Sequence, residues 1–174
     1  VTCDSGNTIT LADSGGFVGL HSSITIGADG LGLISYNEIY TLFSPGRLRV
    51  LHCGDLTCST GNTITVVDNT ATDVGLYTSI TLGADGLGLI SYHDATNTDL
   101  KVLHCGNPTC NSGNTITTLD SLNVVGRDTS ITIGTDGLGL ISYLDTTNGD
   151  LKVLHCGNVL CNSGNLTTAV DTAG

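Results

Sequence analysis

Met, Trp and Gln are absent from this 174-residue chain, which holds one Glu, two Lys and two Pro. Helix-favouring residues are therefore scarce, and no stretch carries apolar residues at i, i+3, i+4 and i+7, which excludes a helical fold. No apolar run approaches the ~20 residues that a membrane helix needs. Positive charge is short too: five Lys and Arg against sixteen Asp and Glu give a net charge of −11. A surface that acidic repels nucleic acid and anionic lipid, so no nucleic-acid partner and no membrane insertion are expected. The charge suits the solubility of an extracellular protein. No phosphate loop is present, because the Gly residues punctuate hairpins and none opens a helix.

What the chain does contain is Thr, Ile, Val, Leu and 24 Gly, a composition of strands joined by tight turns. These residues repeat. Thr78–Thr117 and Thr129–Thr168 are identical at 31 of 40 positions without a gap. A third copy begins at Ser22, with a four-residue insertion around 40–46. The motif C-x-[ST]-G-N recurs at Cys3, Cys58, Cys110 and Cys161, at spacings of 55, 52 and 51. Turn signals cut each unit into four strands: Ser79–Leu82, Leu87–Tyr92, Leu100–Cys105 and Thr115–Leu119 in the second copy. Asp-Gly pairs at Asp29, Asp85 and Asp136 supply a first hairpin. Asn97-Thr98-Asp99 or Asn148-Gly149-Asp150 supplies the next.

The second and third strands are apolar without alternation, which implies burial on both faces. One meander cannot provide that, whereas meanders stacked face to face can. The string SITIGxDGLGLISYxDxTNGDLKVLHCG also resembles the tandem repeats of large secreted bacterial proteins, which are propeller-like. That resemblance covers nearly the whole chain and implies an extracellular β-propeller-type array without a defined reaction. The expected fold is thus all-β, with tandem four-stranded antiparallel meanders as propeller-like blades. The expected organisation is three full repeats plus one extra N-terminal strand. Residues 1–21 hold that strand, from an incomplete repeat, and a linker; repeat 1 covers 22–77, repeat 2 covers 78–128 and repeat 3 covers 129–174. Three blades would close too tightly around an axis, so either the array is longer or several chains share a ring or stack.

The pairs Cys53/Cys58, Cys105/Cys110 and Cys156/Cys161 share one C-x₄-C spacing. Two strands flanking a four-residue loop place their Cα atoms ~4.5–5.5 Å apart, within reach of a disulfide. A zinc site would need two pairs to converge on one ion, which equivalent outer hairpins of stacked blades do not allow. Three bridges imply an oxidising compartment and a secreted protein. Cys3 has no partner in its own hairpin and is either a truncation relic or an intermolecular bridge. His52, His104 and His155 precede the first Cys of each pair and are expected to pack structurally between blades. His21 and His93 have no counterparts in the other copies and are expected at the surface. Asp94, Asn97 and Asp99, with Asp145, Asn148 and Asp150, form oxygen-rich loops open to Ca²⁺ or to plain turn chemistry. The first copy replaces that loop, so the fold does not require an ion there.

No catalytic constellation emerges. The Asp-Gly turns superficially resemble those of sialidases, but Trp is absent and only Arg47, Arg49 and Arg127 are available. No cofactor is expected. Asn111, Ser112, Lys101 and Lys152, read as solvent-facing, repeat between copies, which suits lattice contacts or multivalent binding better than one pocket of unequal parts. The expectation is a structural, non-enzymatic extracellular protein whose partners are copies of itself, in a filament, sheath or ring. The alternative is a multivalent adhesin or a carbohydrate- or protein-binding module.

Overall fold

A computed structural model describes residues 6–39 and 45–172, and all regular structure among them is β-strand. The first sheet holds β1 (Phe17–Ile26), β2 (Gly32–Ile39), β3 (Gly46–His52) and β4 (Thr63–Asp68). The second holds β5 (Val74–Leu82), β6 (Gly88–Asp94), β7 (Asp99–His104) and β8 (Thr115–Asp120). The third holds β9 (Val125–Ile133), β10 (Gly139–Asp145), β11 (Asp150–His155) and β12 (Leu166–Asp171). Each sheet is an antiparallel meander with its strands side by side in chain order.

Turn chemistry sets this topology. In the first hairpin of the second sheet, Gly83 N donates to Leu87 O at 2.7 Å and Leu87 N to Asp85 Oδ1 at 3.1 Å. At the next turn, Asp94 accepts from the amides of Thr96 and Asn97, both at 3.1 Å. The third connection is held by a disulfide and by an Asn: Gly106 N donates to Asn114 Oδ1 at 3.0 Å, and Asn114 Nδ2 to Cys110 O at 3.0 Å. Those bonds, repeated at Asn62 and Asn165, account for the Asn that closes the motif in each of the three sheets. The first strand of each sheet is longer than its turn signals suggest and carries a bulge, with His21, Tyr77 and Asp128 at φ of 53°, 52° and 51°.

Stacking follows chain order. β5 lies against β1, β2 and β3, and β9 lies against β5, β6 and β7, while the third sheet makes no comparable contact with the first. The result is an open stack, and closure around an axis is not seen. Leu33, Leu48 and Val50 of the first sheet pack with Val74, Ile80, Ile90 and Tyr92 of the second. Leu89, Leu100 and Val102 make the corresponding core with Val125, Ile131, Ile141 and Tyr143. β6, in the middle, is buried at every position, as continuous apolar character requires.

The extra N-terminal strand is not seen. Residues 6–16 form no strand, because no described strand pairs with them along a hydrogen-bonding ladder. Their end is nevertheless placed: Ala12 packs with Tyr36, Leu51 and Cys53. Cys3 and residues 40–44 of the insertion lie outside the described residues. No described helix is long and apolar enough to cross a membrane.

Candidate assembly interface

Three disulfides close the outer hairpins, Cys53–Cys58, Cys105–Cys110 and Cys156–Cys161, with Cα–Cα distances of 4.6, 4.7 and 4.7 Å. The histidine before each pair faces a carboxylate. His52, His104 and His155 Nε2 lie 2.7, 2.8 and 2.7 Å from Asp29, Asp85 and Asp136. Each His is thus tied to the first hairpin of its own sheet.

His93 departs from the surface position its lack of counterparts suggested: it is fully buried, whereas His21 is exposed. Burial outweighs the main-chain carbonyls of Val125 and Asp99 and holds its pKa below the ordinary value. Lys101 and Lys152 are also not solvent-facing. Lys101 Nζ lies 2.6 Å from Asp94, and Lys152 Nζ 2.9 Å from Asp145. In the first sheet Arg49 and Glu38 take these places in a two-bond pair, at 2.8 Å each. The candidate calcium loops are organised by these contacts. Asp94 and Asp145 are spent on the lysines, on turn amides and on the amides of Asn97 and Asn148, at 2.9 Å each. Burial disfavours both carboxylates, but the hydrogen bonds from Lys and Asn outweigh it and lower their pKa. Asp99 and Asp150 pair across the same hairpins with Asp94 and Asp145. Among the described residues no cluster of three or more His, Cys, Asp or Glu is placed to hold a metal ion.

The joints between sheets recur as well. Each joint begins with the Asp that ends the last strand of a unit. Tyr92 OH donates to Asp68 at 2.6 Å, and Tyr143 OH to Asp120 at 2.8 Å. Lys152 reaches the same Asp120 at 3.3 Å. Desolvation, then the neighbouring carboxylates, push both tyrosine hydroxyls above their ordinary pKa, so they stay protonated donors. Hydroxyls pair across the joint as well, Thr78 to Ser35 at 2.9 Å and Thr129 with Ser91. Ser23 and Ser79 accept from the amides of Ile80 and Ile131, at 3.1 and 3.2 Å. Apolar knobs fill what remains. Leu48 covers Gly75 and Leu100 covers Gly126, where an added Cβ would stand 2.7 Å from the leucine Cα. Asp68 and its repeats escaped notice in the sequence, although Asp13, Asp68, Asp120 and Asp171 follow the same 55, 52 and 51 spacing as the Cys motif.

Both ends of the stack carry halves of this joint. On the third sheet Ser130 and Asp171 are exposed, Leu140 and Ser142 are only half-buried, and Leu151 is 46% exposed where Leu48 and Leu100 are fully buried. On the first sheet Gly19, the repeat counterpart of Gly75 and Gly126, has the same φ of 87° and no atom within 4 Å of an added Cβ. Ser22, the counterpart of Thr78 and Thr129, is exposed.

No known family model matches the sequence, and no curated protein matches it.

Proposed function

We propose that this is a structural, non-enzymatic extracellular protein whose sheets continue end to end from one copy to the next. The observation that carries the reading is the pair of complementary end faces. The joint used twice within the chain is offered a third time, with its Leu and Ser half on the third sheet and its Gly and hydroxyl half on the first. The three disulfides suit an oxidising environment, and the resemblance to propeller-like repeats of secreted bacterial proteins points the same way. The two end faces differ from each other, so contact between copies is head to tail. Such contact gives a ring where the rotation closes and a filament where it does not.

Light scattering on the purified chain tests this. Mass should rise with concentration above the 17.8 kDa of one chain, and Leu151→Lys should abolish the rise while leaving the circular dichroism of the sheets unchanged. A wild-type chain that stays monomeric at every accessible concentration, or an association indifferent to Leu151→Lys, overturns the proposal.

A further inference from the structure

We infer that the face of the first sheet is a dock for β12 of a second copy, now partly filled by the chain's own residues 6–13, and that joining two copies exchanges one segment for the other. This rests on the end-to-end reading and names the occupant that must leave. Gly6-Asn-Thr-Ile-Thr-Leu-Ala-Asp13 and Gly164-Asn-Leu-Thr-Thr-Ala-Val-Asp171 are the same segment of the repeat, as are residues 61–68 and 113–120. At both internal joints the terminal Asp of that segment meets the Tyr of the following sheet. Asp13 does the same without a strand behind it. Tyr36 OH donates to Asp13 at 2.7 Å and Arg49 Nη1 lies 3.0 Å from it.

The fit is incomplete. Ile9 and Leu11 are 98% and 81% exposed, so the apolar side chains of the segment are not packed onto the sheet, whereas its Asp end is. A mostly apolar cavity of about 160 Å³ remains beneath it, lined in part by Ala12, Asp13, Gly19, Ser22 and Tyr36. The counterparts of Gly19 and Ser22 are where the preceding sheet inserts its leucine and its serine at both internal joints. The cavity therefore marks the place of Leu151 and Ser142 from a second copy. Asp171, at the edge of that same third sheet, is exposed and its side chain has no partner among the described residues. Tyr36 accommodates one such carboxylate in the geometry of the internal joints, so Asp13 and an incoming Asp171 compete for it.

The comparison is the dissociation constant of wild type, Asp13→Ala and Asp171→Ala, each as the full chain, by concentration-dependent light scattering. Releasing the resident segment should tighten association roughly tenfold, since a dock that is only fractionally free raises the apparent constant by that fraction. Asp171→Ala should weaken it by a similar factor. Denaturation midpoints of the variants, taken under monomeric conditions, confirm that each is folded. If Asp13→Ala leaves association unchanged or weaker while Leu151→Lys still abolishes it, the exchange is wrong and end-to-end contact stands. If wild type stays monomeric at every accessible concentration, the end-to-end reading fails together with it.

Discussion

The hydroxyl of Tyr92 shows how single atoms hold two sheets in register. It is fully buried and donates to Asp68, itself buried at the last position of the preceding sheet. Tyr92→Phe keeps the ring and removes the donor, leaving a buried carboxylate with Thr70 and, at 4.0 Å, Lys101. A loss of about 1–3 kcal/mol is expected, the usual cost of stranding a buried acceptor, measured as a lower urea midpoint. His93 provides a second test at this scale. Its pKa is lowered in the folded chain, so the unfolded chain takes up the proton first as pH falls below about 6.5, and stability declines there. The first sheet has Asn37 at the same position, donating to Val74 O at 2.8 Å. His93→Asn should therefore fold, and the difference in urea midpoint between about pH 7.5 and about pH 5.5 should shrink.

At the scale of the strand, the bulge near the start of each sheet decides how closely neighbours approach. Gly75 has a φ of 88° and lies against the backbone of Leu48, whereas Gly19 has the same conformation and open space. Alanine at Gly19 should cost only the left-handed strain, about 1–2 kcal/mol in the monomer. Alanine at Gly75 should cost clearly more, because its Cβ also meets main chain that cannot move aside. Urea midpoints of the two variants under monomeric conditions give the comparison, and equal losses would mean that the sheets can slide apart to admit a methyl group.

For the whole molecule, the balance is between a mainly apolar joint and a charged body. The contacts repeated at each joint are mainly apolar or between hydroxyls, while each copy carries a charge of −11. Repulsion between copies acts over the Debye length, about 30 Å at 0.01 M salt and about 8 Å at 0.15 M. Association should thus strengthen as salt rises through that range, with the mass at fixed protein concentration as the readout. Weakening with salt would mean that ion pairs, such as an arginine reaching across to Asp171, dominate the joint.

The repeat, the four-strand cut of each unit and the cysteine pairing were legible in the residues because all three depend on contacts within about fifty positions. Turn-forming Asp-Gly pairs and a four-residue loop between cysteines act locally, whatever surrounds them. Burial did not have that property. Asp-Leu-Lys-Val-Leu-His occurs identically in β7 and β11, yet it is buried at five of six positions in the first and at one in the second. Only the presence of a sheet on both sides separates them. For the same reason Lys101 and His93 both read as surface residues, since their partners and coverings come from other strands and the next sheet. The amino-acid sequence determined what each sheet is. The stack decided which of its faces are covered, because covering is a property of neighbours and not of the strand itself.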